Sequence, residues 1–229
     1  MFCDRVIQFY NQLHFQGDLP EGVQIMNPFR GNSHIRQIIT LFYSKFFSDN
    51  NSRTLILGIN PGRFGAGATG IPFTDTKRLT ENCGITFTEF KTHEPSSAFI
   101  YEMIDNFGGV KEFYSKFFIS AICPLGFTIK NRNNKQVNYN YYDSNELLFT
   151  VYPFIVENLK KQLDFGIEKS VCFCLGTGKN EVFIRRLNDQ FGFFKKIIAL
   201  EHPRYIMQYR AKARQEYIAK YVEALGCRL

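Results

Sequence analysis

Four short runs of the chain are apolar through their centres rather than alternating: TLILGIN (54–60), FFISAIC (117–123), SVCFCLG (170–176) and KIIALEH (196–202). A strand with one wet face alternates, so continuous runs of this length predict strands covered on both faces. Helical periodicity lies between them, near 97–107, 145–163 and 179–191, and QYRAKARQEYIAKYVEAL closes the chain. Upstream, Val6, Phe9, Tyr10 and Leu13 fall at helical spacing within 4–15. After the polar turn NPFRGNS, Ser33 caps a second expected helix carrying Ile35, Ile38, Ile39, Phe42 and Phe46. Strand–helix alternation implies parallel strands joined by right-handed crossovers. The expectation is an α/β three-layer sandwich with a central, mostly parallel four-stranded sheet flanked by helices. No repeat or linker divides the sequence, so residues 1–229 read as one domain, with 1–50 supplying N-terminal helices that pack on the α/β core. The polar, asparagine-rich stretch TIKNRNNKQVNYNYYDS (128–144) reads as a long loop, either functional or a disordered surface excursion.

Composition narrows the class. At 229 residues and 45% hydrophobic content the chain is long and apolar enough for a sizeable core, which excludes disorder. Core filling accounts for most of the 25 Phe, but not for Phe73 or Tyr205, which sit among polar, glycine or arginine neighbours. The formal charge of +7 suits a polyanionic partner. No stretch approaches the ~20 apolar residues of a membrane span. The start, MFCDRVIQFY, has no basic region followed by an apolar one, so a cytoplasmic protein is expected. The cysteines at 3, 83, 123, 172, 174 and 227 form no C-x-x-C, which points to free thiols and to no disulfide, metal or iron–sulfur site.

Candidate chemistry gathers at two strand ends. Asn60 ends the first run and His202 the last, and proline follows each, driving the preceding residue to extended geometry. Ligands of open α/β sheets bind beyond the carboxyl ends of the strands, so two parallel strands can offer this amide and this imidazole to one crevice. Two tempting motifs fail. GRFGAG (62–67) does not spell G-x-G-x-x-G, and in CLGTGKNE (174–181) position 173 is Phe where a phosphate-binding loop needs Gly. No G-x-S-x-G occurs, and no cysteine has an evident base partner.

The stretch GINPGRFGAGATGIPF resembles the first motif of the uracil-DNA glycosylase superfamily, in its single-strand-selective monofunctional branch. Gly58, Asn60, Pro61, Gly62, Phe64, Gly65, Thr69, Gly70, Pro72 and Phe73 match at the same spacing. HPRYIMQYR (202–210) resembles the second motif, a His-Pro followed by an arginine-bearing wedge loop, and MNPF, CPLGF and GTGKNE are weaker echoes in family order. The resemblance spans roughly residues 25–229. It implies a monofunctional DNA N-glycosylase that flips a deaminated base out of DNA and hydrolyses its N-glycosidic bond, leaving an abasic site. By the same resemblance Asn60 positions the water and His202 donates to the departing base. Phe73 stacks on that base, Gly62 leaves room at its 5-edge, and the backbone near Ile59 contacts its polar edge.

Flipping leaves a gap in the stack that a wedge fills, with Arg204, Tyr205, Ile206 and Met207 as candidates. Arg210, Lys212 and Arg214 are expected on a helix beside the phosphates or on a merely solvated face, and Arg63 is open to either reading. The implied partner is DNA, single- or double-stranded, with no metal, cofactor or membrane, and the protein is expected to act as a monomer. One departure stands out. The family places a His-Asn pair just before the CPL segment, whereas this chain has Ser120 and Ala121. Ser120, or an amide such as Asn138, takes over base reading, and the range is expected to widen from uracil to hypoxanthine and xanthine. The alternative is a nucleic-acid-binding module of the same fold without catalysis.

Overall fold

The computed structural model describes residues 1–227; the last two positions of the expected 1–229 domain lie outside the described residues. In chain order the elements begin α1 (Phe2–Gln12), β1 (Val23–Met26), α2 (Ser33–Phe46), β2 (Arg53–Gly58), α3 (Ala66–Thr69) and α4 (Thr76–Glu81). They continue with α5 (Pro95–Phe107), α6 (Gly109–Lys116), β3 (Phe117–Ala121), β4 (Gly126–Lys130), β5 (Gln136–Tyr139) and α7 (Asn145–Leu163). The last are β6 (Ile167–Leu175), α8 (Lys179–Phe191), β7 (Lys196–Leu200), α9 (Pro203–Tyr209), a 3₁₀ turn (Ala211–Ala213) and α10 (Arg214–Gly226).

The four apolar runs become β2, β3, β6 and β7, paired in the order β3-β2-β6-β7 with every pair parallel. All residues of β2 and β3 are buried, as their unbroken apolar pattern requires. The chain steps from β2 out to β3, then returns to the far side of β2 as β6, so strand order reverses between β2 and β6. A crevice opens beyond the carboxyl ends at such a switch point. Helices flank the sheet: α5 packs against α9 and α10, and α1 against α2 and α7. No described helix is long and apolar enough to cross a membrane.

A buried cation anchors the start of β2. Arg53 is fully buried and forks onto Asp49, while donating to Asn51 O at 2.7 Å and Tyr114 O at 3.2 Å. Its guanidinium carbon lies 5.0 Å from the Phe2 ring centroid and 5.4 Å from that of Phe47. Every guanidinium edge thus meets an acceptor or a ring face, the condition under which a buried arginine is tolerated. The contacts tie β2 to α1, to the 49–51 turn and to the end of α6.

The sequence expectation fails over 128–144. Instead of a loop, the segment carries most of the β4–β5 hairpin, and β1 pairs antiparallel with β4 to complete a second sheet in the order β1-β4-β5. The asparagines that suggested disorder are turn chemistry. Asn131 Oδ1 accepts the backbone N–H groups of Asn133 and Lys135, both at 3.0 Å, and Asn134 adopts φ +55°. The helix expected from 208 is also interrupted: the last turn of α9 ends at Arg210, and α10 begins only after the 3₁₀ turn.

The second sheet is packed tightly against the loop that leaves β2. A side chain at Gly126 would overlap Pro61 O and Met26 Cε. Gly126→Ala is expected to destabilise the fold by about 1–3 kcal/mol through overpacking, read as a lower urea midpoint at unchanged m-value.

Candidate active site

Beyond Gly58 the chain leaves β2 but stays tied to its neighbour, with Ile122 N–H bonding Gly58 O at 3.0 Å and Cys123 N–H bonding Ile59 O at 3.1 Å. Asn60 follows, and the hairpin holds its amide. Tyr141 N–H donates to Asn60 Oδ1 at 3.1 Å, and Asn60 Nδ2 donates to Tyr139 O at 3.3 Å. With both ends engaged, the amide's rotamer and its oxygen/nitrogen sense are fixed, and Oδ1 keeps a second lone pair for a water proton. The next turn closes on itself, because Gly65 N–H and Gly67 N–H both donate to Gly62 O, at 3.2 and 2.9 Å. Asn138 of β5 pins the same turn by accepting Arg63 N–H at 3.1 Å.

Phe73 carries backbone strain. Its φ of +51° lies in the left-handed region that a bulky residue enters at a cost of roughly 1–3 kcal/mol. The result is a ring laid over Gly58, where a Cβ would stand only 3.0 Å from Phe73 Cε2. The same ring lies 5.7 Å from the imidazole of His202, tilted by 48°. His202 caps α9: its Nδ1 accepts Arg204 N–H at 3.1 Å, which assigns the ring proton to Nε2. Burial, reinforced by the Arg204 guanidinium, lowers its pKa from 6.5 to about 4. At neutral pH the imidazole is therefore an uncharged Nε2–H donor.

These groups share one cavity of about 130 Å³. An apolar cavity of about 150 Å³ accepts benzene, so the space is of the size of a single aromatic ring. Ile59, Asn60, Gly62, Phe73, Ser120 and His202 all line it, so the structure brings together every residue expected at the reacting centre and around the base. Asn138 lines it too, delivered by β5 of the β4–β5 hairpin. Among the lining residues that sequence reasoning missed are Tyr10 of α1 and Glu94 at the start of α5. Neither sits in a recognisable motif, and for Tyr10 the helical spacing signalled only a core position.

The expected DNA-facing residues divide. Arg204 lines the cavity rim and is exposed, as are Tyr205, Arg210 and Lys212. Tyr205 and the exposed Tyr209 are 5.6 Å apart, and Arg210 lies over the Tyr205 ring. Arg63 is half-buried beside the exposed ring of Phe64. Ile206 is a correction. The wedge segment is the helix α9 and not an open loop, and its inward face buries Ile206 completely in the core, so this side chain cannot reach DNA without unfolding α9. Met207 is half-buried against the same core. Arg214 is held by Glu102 at 3.1 Å.

Comparison with known proteins places the chain in a family. The sequence model of the Uracil DNA glycosylase superfamily matches residues 44–226. Among solved structures, the chain is similar to wild-type SMUG2 of Pedobacter heparinus, with a TM-score of 0.96 and 56% sequence identity over 98% of this chain and 97% of that one. No match is found among curated proteins.

Glu94 gives the site a second perturbed group. Its carboxylate accepts Ser97 Oγ at 3.1 Å and fills the space beside Gly62 and Gly65, where added side chains would collide with it. Burial raises its pKa from 4.5 to about 7; the negative charge of Asp75 adds to the rise, and Arg204 opposes it. Between those two values the folded chain holds a proton that the unfolded chain has released, so this group withdraws stability as pH rises from about 4.5 through 7. His202 acts in the opposite sense between about 4 and 6.5. Glu94→Gln removes only the Glu94 contribution. The variant's melting temperature relative to the parent is therefore expected to climb between about pH 5 and pH 8, whereas a pH-independent difference would contradict the assignment.

Proposed function

This chain belongs to the uracil DNA glycosylase superfamily, in its single-strand-selective monofunctional branch, and we propose that it excises uracil, hypoxanthine and xanthine from DNA without a lyase step. The observation that carries the reading is convergence: the clamped amide of Asn60, the neutral imidazole of His202 and the strained ring of Phe73 face one ring-sized cavity.

Each group meets a demand of N-glycosidic hydrolysis. As the C1′–N bond stretches, positive charge develops on the sugar and negative charge on the base. Asn60 holds a water for C1′ through its free oxygen lone pair, and an amide suffices because the oxocarbenium-like sugar is already strongly electrophilic. His202 donates Nε2–H to a base carbonyl oxygen, a bond that strengthens as charge accumulates there. A neutral donor suits this task, because its pKa of about 4 leaves Nε2 protonated and Nδ1 capped throughout the neutral range. One preorganised donor of this kind is worth about 10²–10³ in rate. Phe73 stacks on the flipped base, about 1–3 kcal/mol by analogy with other base–aromatic contacts.

The exposed face of Arg204, Tyr205, Arg210 and Lys212 meets the DNA, with Tyr205 the best-placed wedge now that Ile206 belongs to the core. The +7 charge favours approach to the polyanion. Among the described residues no lysine lines the cavity, which supports a monofunctional reaction with no Schiff base. The wider base range rests on Ser120 and Ala121, which line the cavity where the family has a His-Asn pair, so a rotatable hydroxyl and a methyl group stand in place of an imidazole and a fixed amide.

A panel of oligonucleotides carrying each deaminated base, unpaired and opposite each partner, tests both levels. Cleavage by alkali after incubation is expected for all three bases. Activity confined to uracil rejects the wider range, and no activity at all selects the binding-module alternative. Asn60→Ala and His202→Ala are each expected to lose 10²-fold or more in single-turnover rate while still binding DNA; near-normal rates in both reject the mechanism.

A further inference from the structure

The polar side chains around the cavity are not equally free. The amides of Asn60, Asn138 and Asn140 and the carboxylate of Glu94 already bond to protein. Of the three hydroxyls that line it, those of Ser96, Ser120 and Tyr10, the Ser120 hydroxyl on β3 and the Tyr10 hydroxyl on α1 interact with each other at the cavity wall. Tyr10 is rigidly seated: its ring stacks on Phe29 at 4.5 Å and on Tyr43 at 5.7 Å. The Tyr43 hydroxyl is buried and meets no acceptor in regular hydrogen-bond geometry; of the two hydroxyls it interacts with, that of Tyr114 is already engaged with Tyr101 at 3.2 Å, which leaves that of Tyr10.

We propose that Tyr10 is a specificity-determining residue that reads the lactam edge of the flipped base together with Ser120. The inference rests on the glycosylase reading and concerns which bases that site accepts. Uracil, hypoxanthine and xanthine share one feature that cytosine and adenine lack: a carbonyl oxygen beside a ring N–H. Cytosine and adenine present an amine beside a bare ring nitrogen, the reverse polarity. A free pair of hydroxyls would rotate to suit either pattern. Tyr43 removes that freedom. Its hydrogen has Tyr10 Oη to turn to, so the Tyr10 hydrogen is directed away from Tyr43, into the cavity. Tyr10 then donates to the base carbonyl, and Ser120 Oγ accepts the ring N–H. Burial raises the pKa of both tyrosines, so both remain protonated donors across the working range. A buried site built to donate to a carbonyl rejects an amine because two donors then face each other.

The test uses the full chain and measures both excision and binding of single-stranded DNA carrying uracil or 4-thiouracil, whose sulfur is a poor acceptor but whose ring keeps its N–H. Tyr10→Phe retains the ring stack and loses only the hydroxyl. The preference for uracil over 4-thiouracil is expected to shrink about tenfold in this variant, the effect of roughly one hydrogen bond. Tyr43→Phe leaves Tyr10 intact but frees its hydrogen, and is expected to raise cytosine excision or binding relative to uracil by a similar factor. Melting curves establish that both variants fold. An unchanged uracil to 4-thiouracil ratio in Tyr10→Phe overturns the proposal, as does an unchanged cytosine ratio in Tyr43→Phe. A parent chain that binds uracil DNA but does not cleave it counts against the glycosylase reading alone, because the binding ratios still judge Tyr10.

Discussion

The Asn60 amide is held from both ends by the backbone of a hairpin 79–81 residues further along the chain, Tyr141 N–H on its oxygen and Tyr139 O on its nitrogen. Everything else in the cavity is arranged around that clamp. The parallel sheet brings Asn60 to the switch point, but the strand stops at Gly58 and leaves the side chain on a loop. The small antiparallel sheet supplies the missing rigidity. It packs Gly126 against Pro61, holds Arg63 N–H through Asn138, and locks the amide in one sense. Precision at a reacting centre comes from such supporting bonds more than from the reacting side chain itself.

Charge is distributed with a similar division of labour. The chain as a whole is strongly basic, which draws in a polyanion, whereas the imidazole that faces the cavity is neutral. The carboxylate of Glu94 is moved by burial into the neutral range, so the cavity approaches electrical neutrality just where charge separation is proposed to occur. Fixed neutral donors in a desolvated site interact strongly with developing charge, and they need no reorganisation as it forms.

The parallel sheet was legible because β2, β3 and the second half of β6 are buried on both faces and so carry unbroken apolar runs, and the edge strand β7 keeps such a run after Lys196. Asn60 and His202 were legible because a proline follows each strand end. The hairpin was hidden: β5 has only four residues, all half-buried, and its turn is built from asparagines that equally suit a disordered stretch. Ile206 was misplaced because the motif suggested a loop, whereas Pro203 at the first position of α9 starts a helix whose inward face must be apolar. Glu94 and Tyr10 carried no local signal. The first gains its shifted proton affinity from burial beside glycines 29 and 32 residues away, and the second reaches the cavity from α1, which packs on α2 and α7 and touches β3 through Phe2 and Phe118.

The proposed mechanism requires that a base turned out of DNA enter the cavity between Asn60, His202 and Phe73. A crystal structure of the chain with DNA carrying 2′-fluoro-deoxyuridine, whose electron-withdrawing fluorine slows bond cleavage, addresses it directly. The uracil is expected inside that cavity, its face on the Phe73 ring, one carbonyl oxygen on His202 Nε2, and a water on Asn60 Oδ1 aimed at C1′. A uracil still stacked in the DNA, or bound elsewhere with the cavity closed, would contradict it.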